Sequence, residues 1–174
     1  MKSIKSLKGL KGKTVIVRAD FNVPLAGTRV VDATRVTVAL PTIQYLRKGG
    51  ARVILLSHIG RDPEESLKPV YNVLKKHVPV RFVAEVVGPA VDKAVAAMKN
   101  GDVILLENVR SNPGEKAGDA AFAKSLAKLG NIYVNEAFPV SHRSDASITG
   151  IPKYLPSYAG FQLEREVKEL SKVL

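Results

Sequence analysis

Short apolar runs alternate along this chain with stretches in which apolar residues recur every three or four positions. Residues 14–17, T-V-I-V, form a β-branched run too brief for a helix and apolar on both faces, which predicts a strand inside a sheet covered on both sides. Residues 52–56, R-V-I-L-L, and 102–107, D-V-I-L-L-E, read the same way, and 132–134 and 80–83 complete a set of five strands. Between them the spacing turns helical. Residues 32–48 carry Val36, Ala39, Leu40, Ile43 and Leu46, with Asp32 as the expected N-cap and Gly49-Gly50 as the stop. Pro41 is expected to bend that helix or shift its start. Further helices are expected over 68–76, over 88–99 with Pro89 in the first turn, over 119–129 with Asp119 as cap, and from about Phe161 to Leu174. Residues 57–63, 108–118 and 135–157 show no such period and read as loops.

Strands alternating with helices at this spacing imply βαβ units with right-handed crossovers. The expected fold is therefore α/β, a three-layer Rossmann-like domain around a central, mostly parallel sheet. A chain of 174 residues, 45% of them hydrophobic, suits one core and one domain, expected over residues 1–160. Residues 161–174 differ in kind: Leu163, Val167, Leu170 and Leu174 form an apolar stripe opposed by Glu164, Arg165, Glu166, Lys168, Glu169 and Lys172. A chain that stops inside such a helix reads as part of something longer. No apolar run approaches the ~20 residues of a membrane span, the basic N-terminus holds no signal-length run, and cysteine is absent. A soluble cytoplasmic protein with no membrane partner is the expectation.

Charge changes this picture. Lysine and arginine number 27 against 16 acidic residues, a formal charge of +11, which implies anionic company. Nucleic acid is not expected, because five tyrosines, five phenylalanines and no tryptophan supply few stacking platforms, and no nucleic-acid-binding signature occurs. Small phosphorylated or carboxylated ligands fit better. In a parallel sheet ligands bind outside the carboxyl ends of the strands, and polar residues gather at those exits. Asp20 and Asn22 follow the first strand; Ser57, His58, Gly60 and Arg61 the second; Asn108 and Arg110 the fourth; Asn135, Glu136, Ser141, His142 and Arg143 the fifth. Arg35 falls in a first helical turn, where the helix dipole disfavours a cation by ~0.3–1 kcal/mol, so a local cost points to a role. With Arg61, Arg110 and Arg143 it suggests a nest of guanidinium forks for a small, multiply charged anion, whose hydroxyl Asp20 and Asn22 would hold. No G-x-G-x-x-G follows the first strand, G-K-T at 12–14 lacks the earlier glycine of a phosphate loop, and no histidine pair has metal spacing, so no metal site is expected.

At these residues the chain resembles the N-terminal domain of phosphoglycerate kinase. The similarity lies in V-R-A-D-F-N-V-P (17–24), D-A-T-R (32–35), L-P-T-I (40–43), V-I-L-L-S-H-I-G-R (53–61), L-L-E-N-V-R (105–110), P-G-E (113–115), V-N-E-A-F (134–138) and S-H-R-S-D-A-S (141–147). The resemblance implies a domain that binds 3-phosphoglycerate or 1,3-bisphosphoglycerate through Asp20, Phe21, Asn22, Arg35, His58, Ile59, Gly60, Arg61, Arg110 and Arg143, with His142 a further candidate. It implies a catalytic Arg35 that stabilises the phosphoryl group in flight. It also implies a separate C-terminal nucleotide domain, joined through the last helix, that carries ADP or ATP with Mg2+; no cofactor is expected on this chain alone. A stand-alone binding module for acidic phospho-ligands or nucleic acid is the alternative.

The chain departs from the family pattern at Ser111, Glu136, Pro139-Val140 and Asp145. The loop between Pro24 and Asp32 also looks short. Two roles stay open for Asp145: a carboxylate that competes with the anion for the arginines, or a cap on a neighbouring turn.

Overall fold

The computed structural model describes residues 1–173. A two-residue strand, β1 (Lys2–Ser3), precedes β2 (Thr14–Arg18), every residue of which is buried. A small hairpin, β3 (Leu25–Ala26) with β4 (Arg29–Val30), leads to α1 (Thr34–Lys48) and β5 (Arg52–Leu56). Then come α2 (Lys68–Leu74), β6 (Arg81–Val83), α3 (Pro89–Ala96) and β7 (Val103–Leu106). The short α4 (Gly114–Ala117), α5 (Ala120–Ala127), β8 (Ile132–Asn135), β9 (Ser157–Ala159) and α6 (Phe161–Ser171) complete the order.

Seven strands form one sheet in the order β1-β9-β8-β2-β5-β7-β6, and every neighbouring pair is parallel. Alternate residues face opposite layers, as the two-residue strand period requires. Val15, Val17, Val53, Leu55, Val103 and Leu105 pack with Val36, Ile43 and Leu46 of α1 and with Val70 and Leu74 of α2. Ile16, Ile54, Leu56, Ile104, Leu106 and Tyr133 pack on the other side with Val91 of α3 and Phe122 and Leu126 of α5. Burial on both faces explains why these strands read as unbroken apolar runs, and it yields the expected three-layer α/β, Rossmann-like architecture. The chain leaves β2 towards β5 on one side and returns as β8 on the other. The exits of β2 and β8 therefore flank a switch point, where a crevice opens at the carboxyl edge.

The structure corrects several local expectations. The sheet has seven strands among the described residues, not five: the edge strand β1 and its neighbour β9 have two and three residues, too short to show a period. The segment after Pro24 is a hairpin turning at Gly27, with φ of +62°. Asp32 is not the N-cap of α1. That position is Ala33, and Asp32 Oδ1 accepts instead from the backbone N and Oγ1 of Thr34 at 2.8 and 2.6 Å, one position early. These bonds from Thr34 hold the Asp32 carboxyl below the usual carboxylate range. α1 runs through Pro41 unbroken and forgoes only the bond for which proline has no N–H. Asp119 does cap α5, its Oδ1 accepting from Phe122 N at 2.7 Å. Residues 135–157 hold 3-10 turns at Phe138–Val140 and Ile151–Lys153 and a π-turn at Ala146–Gly150. On α6, Leu163 is buried while Val167 and Leu170 are exposed, and Leu174 lies outside the described residues.

Candidate functional site

β2 ends in Arg18, an arginine with no exposed surface in a strand otherwise made of Thr, Val and Ile. A buried guanidinium is tolerated only when its nitrogens find partners, and here each of the three has one. Nε donates to Ser147 Oγ at 2.7 Å, Nη2 to His58 Nδ1 at 3.0 Å and Nη1 to the carbonyl of Ala19. The Ser147 hydroxyl donates in turn to Glu115 Oε1, while its backbone N donates to Glu115 Oε2 at 3.0 Å. Glu115 is fully buried, and burial pushes its carboxyl up while the Arg18 charge and the Ser147 bonds pull against that. His58 feels the reverse: burial, then the charges of Arg18, Arg110, Arg143 and Arg35, hold its imidazole down to about 2. It is neutral at any physiological pH.

The loops beyond β2, β5 and β7 brace one another. Phe21 N donates to Ser57 Oγ at 2.9 Å, and Gly60 N to Asn22 Oδ1 at 2.9 Å. Asn108, buried, accepts from Ile59 N and donates to the carbonyls of Ile59 and Glu65. Arg110 Nη1 donates to the Gly60 carbonyl at 2.7 Å, and Lys116 Nζ to that of Arg61 at 3.2 Å. Gly60 itself has φ of +63°, and a Cβ there would lie 2.0 Å from Glu65 Oε1, which accepts from the backbone N of Arg61 and Asp62. Gly60→Ala is therefore expected to cost about 1–2 kcal/mol, read as a lower urea midpoint, because it meets both the left-handed strain and a displaced carboxylate.

Within this frame a recess of about 620 Å³ opens, lined by Asn22, His58, Gly60, Arg61, Arg110, Lys116, Val140, His142 and Arg143. Its cations are crowded. Arg110 Nε is buried without a partner, and burial followed by the neighbouring Arg143 charge lowers its pKa, so an incoming anion would relieve the site. Arg143 Nε is held at 2.9 Å by Asp145 Oδ2, a carboxylate 2% exposed. Asp145 thus anchors one arginine. Its side chain makes no capping bond, and only its carbonyl accepts from Ile148 and Thr149 N in the turn that follows.

The residues singled out from sequence divide between two places. Asn22, His58, Gly60, Arg61, Arg110, His142 and Arg143 line the cationic recess. Asp20 and Arg35 do not: the Arg35 guanidinium is paired with Asp20 Oδ2, and both line a smaller hollow of about 200 Å³ with Glu136, Gln162 and Glu166. The two hollows adjoin through Asp20, whose Oδ1 accepts from Asn22 N at 3.2 Å. Phe21 and Ile59 bury their side chains in the core and offer only backbone. Glu136, at the exit of β8, caps α6: Oε1 accepts from Gln162 N at 3.0 Å and Thr42 Oγ1 at 2.8 Å, while Oε2 is buried without a partner. Sequence reasoning did not single out Arg18, Glu115, Ser147 or Lys116 as site residues. An arginine inside an apolar strand was the available signal for the first; the others depend on a long-range fold contact.

The phosphoglycerate kinase family model matches residues 4–174. The chain belongs to the phosphoglycerate kinase family. It is 49% identical over 172 residues to a phosphoglycerate kinase of Methylorubrum extorquens, a match covering 95% of this chain and 43% of that protein. It is 51% identical over 170 residues to one from Bartonella tribocorum, covering 94% and 43%. Among solved structures, phosphoglycerate kinase from Pyrococcus horikoshii superposes with a TM-score of 0.91 at 27% identity, covering 99% of this chain and 45% of that one. The Coxiella burnetii enzyme gives 0.88 at 36%, covering 99% and 44%. This chain therefore spans less than half the length of the phosphoglycerate kinases it matches.

Proposed function

We propose that this chain is the triose-binding part of a phosphoglycerate kinase, holding 3-phosphoglycerate or 1,3-bisphosphoglycerate for reversible phosphoryl transfer to ADP in glycolysis. The observation that carries this reading is the recess into which three arginines, Lys116 and a neutral His58 converge at the switch point of a parallel sheet. Arg61, Arg110 and Arg143 suit bidentate contacts with carboxylate and phosphate oxygens, and Asn22 and the His58 Nε2–H suit the ligand's neutral oxygens. Arg35, 47% exposed at its side chain, is assigned to the phosphoryl group in flight, reached by leaving Asp20.

Among the described residues no three His, Cys, Asp or Glu side chains are grouped to hold a metal, and a cationic recess repels Mg2+. Nucleotide and Mg2+ are assigned, on the family resemblance, to the relatives' remaining length, with residues 1–160 as the triose domain and 161–174 as the start of the connecting helix. The exposed apolar residues Val167 and Leu170 support that division. No described helix is long and apolar enough to cross a membrane, and a cytoplasmic setting accords with a glycolytic role.

A thermal-shift series tests the reading. At 100 times its Kd, 3-phosphoglycerate should stabilise the chain by about 2.7 kcal/mol, seen as a rise in melting temperature, while an oligonucleotide should give only a salt-sensitive shift. A larger, salt-resistant shift with the oligonucleotide overturns it. In a protein carrying the nucleotide half, Arg35→Ala should lower kcat by roughly tenfold or more and KM for the triose little. An unchanged kcat removes Arg35 from the transfer step.

A further inference from the structure

The fold treats the two nitrogens of the His58 imidazole differently. Arginine has donors only, so the 3.0 Å contact from Arg18 Nη2 makes Nδ1 an acceptor and leaves the ring proton on Nε2. Nε2 has no hydrogen-bond partner among the described residues, is not one of the buried orphaned atoms, and belongs to a side chain lining the recess. Arg18 is oriented from behind: Ser147 Oγ accepts from its Nε–H and donates its own hydroxyl hydrogen bond to Glu115, whose second oxygen accepts from Ser147 N. Tyr133 OH fixes the same turn by donating to the Ser147 carbonyl at 2.7 Å. Glu115, Ser147, Arg18 and His58 form a continuous line of hydrogen bonds from a buried carboxylate to the floor of the recess, in which Arg18 donates both ways, through Ser147 towards Glu115 and directly to His58. A serine hydroxyl is the necessary middle member. It accepts from one neighbour while donating to the other, which neither alanine nor a second carboxylate can do.

We propose that Glu115 and Ser147 are positioning residues for the ligand recess, acting through Arg18 to lock His58 as the Nε2–H tautomer, so that the recess presents a fixed neutral donor among its cations. This rests on the triose-binding reading for the ligand but not for the tautomer. A neutral donor there selects where an uncharged oxygen of the ligand sits. The arginines, which attract any oxyanion, cannot make that distinction.

The test has two arms. In the unmodified chain at pH 7, nitrogen-15 NMR of His58 should show a proton on Nε2 and none on Nδ1. In Glu115→Gln the ring should populate both tautomers. A protonated Nδ1 in the unmodified chain overturns the proposal, whatever the ligand does. The second arm measures 3-phosphoglycerate affinity by calorimetry for the unmodified chain, Ser147→Ala, His58→Gln and the double variant. Ser147→Ala should weaken binding by about fivefold or more with His58 present and change it less than about twofold in the His58→Gln background. Equal losses in both backgrounds make Ser147 merely structural. If the unmodified chain binds no 3-phosphoglycerate while the tautomer is as stated, the triose reading fails and the positioning role stands. If Ser147→Ala does not fold, Glu115→Gln takes its place in the cycle.

Discussion

Arg18→Met is expected to lower folding stability by about 3–5 kcal/mol at pH 8, because it leaves the Glu115 carboxylate buried and unpaired. The loss should be smaller at pH 5. Burial already raises the Glu115 pKa, and removing the Arg18 charge raises it further, so the folded state binds a proton that the unfolded state has released. A raised carboxyl contributes stability that is complete below its unfolded pKa and is lost as pH rises through the folded one. Urea titrations at pH 5 and pH 8 measure both quantities, and the double variant Arg18→Met with Glu115→Gln should recover most of the pH 8 deficit. A deficit equal at both pH values, or unrelieved by the second substitution, would mean that packing around the guanidinium stem dominates.

Glu136→Gln is expected to stabilise the chain by up to about 3 kcal/mol at pH 8 and to do little at pH 4. Burial, opposed by bonds from Gln162, Thr42 and Leu163, pushes the Glu136 carboxyl up to about 7 from an ordinary 4.5. The sign is again that of a raised acid: stability falls between about pH 4.5 and 7 as the proton leaves a carboxyl whose Oε2 has no hydrogen-bond donor to offset the charge. Glutamine keeps the oxygen that Gln162 N and Thr42 need and carries no charge to desolvate. Thermal melts from pH 4 to 8 should therefore lose this part of their slope in the variant. An unchanged slope would place the titration elsewhere.

The architecture was legible because its signals are local. Strands β2, β5, β7 and β8 are apolar on both sides, and Gly and Pro mark the helix ends, so alternation alone indicated a covered parallel sheet. Strands β1 and β9 were not legible: two or three residues carry no period, and their pairing joins Lys2 to Tyr158. At the site, residue types at the strand exits pointed to a nest of cations, and Arg61, Arg110 and Arg143 do share a recess. That Arg35 turns to Asp20 and Arg143 to Asp145 depends on side-chain distances no spacing rule contains. The same holds for Glu115 and Ser147. Each looks like an ordinary loop residue until the fold brings the two together beneath Arg18.

The strand order has a consequence for how the molecule is made. β2 is synthesised well before one of its two neighbours, β8, which pairs Ile132 with Val15 from more than a hundred residues later. At translation rates of about 5–20 residues per second, one edge of that strand stays open on the ribosome for on the order of ten seconds. Through that interval T-V-I-V is an unpaired apolar edge, and Arg18 has neither Ser147 nor Glu115 beside it. The nascent chain thus passes through a stage in which its central strand is both sticky and carries an unmatched charge.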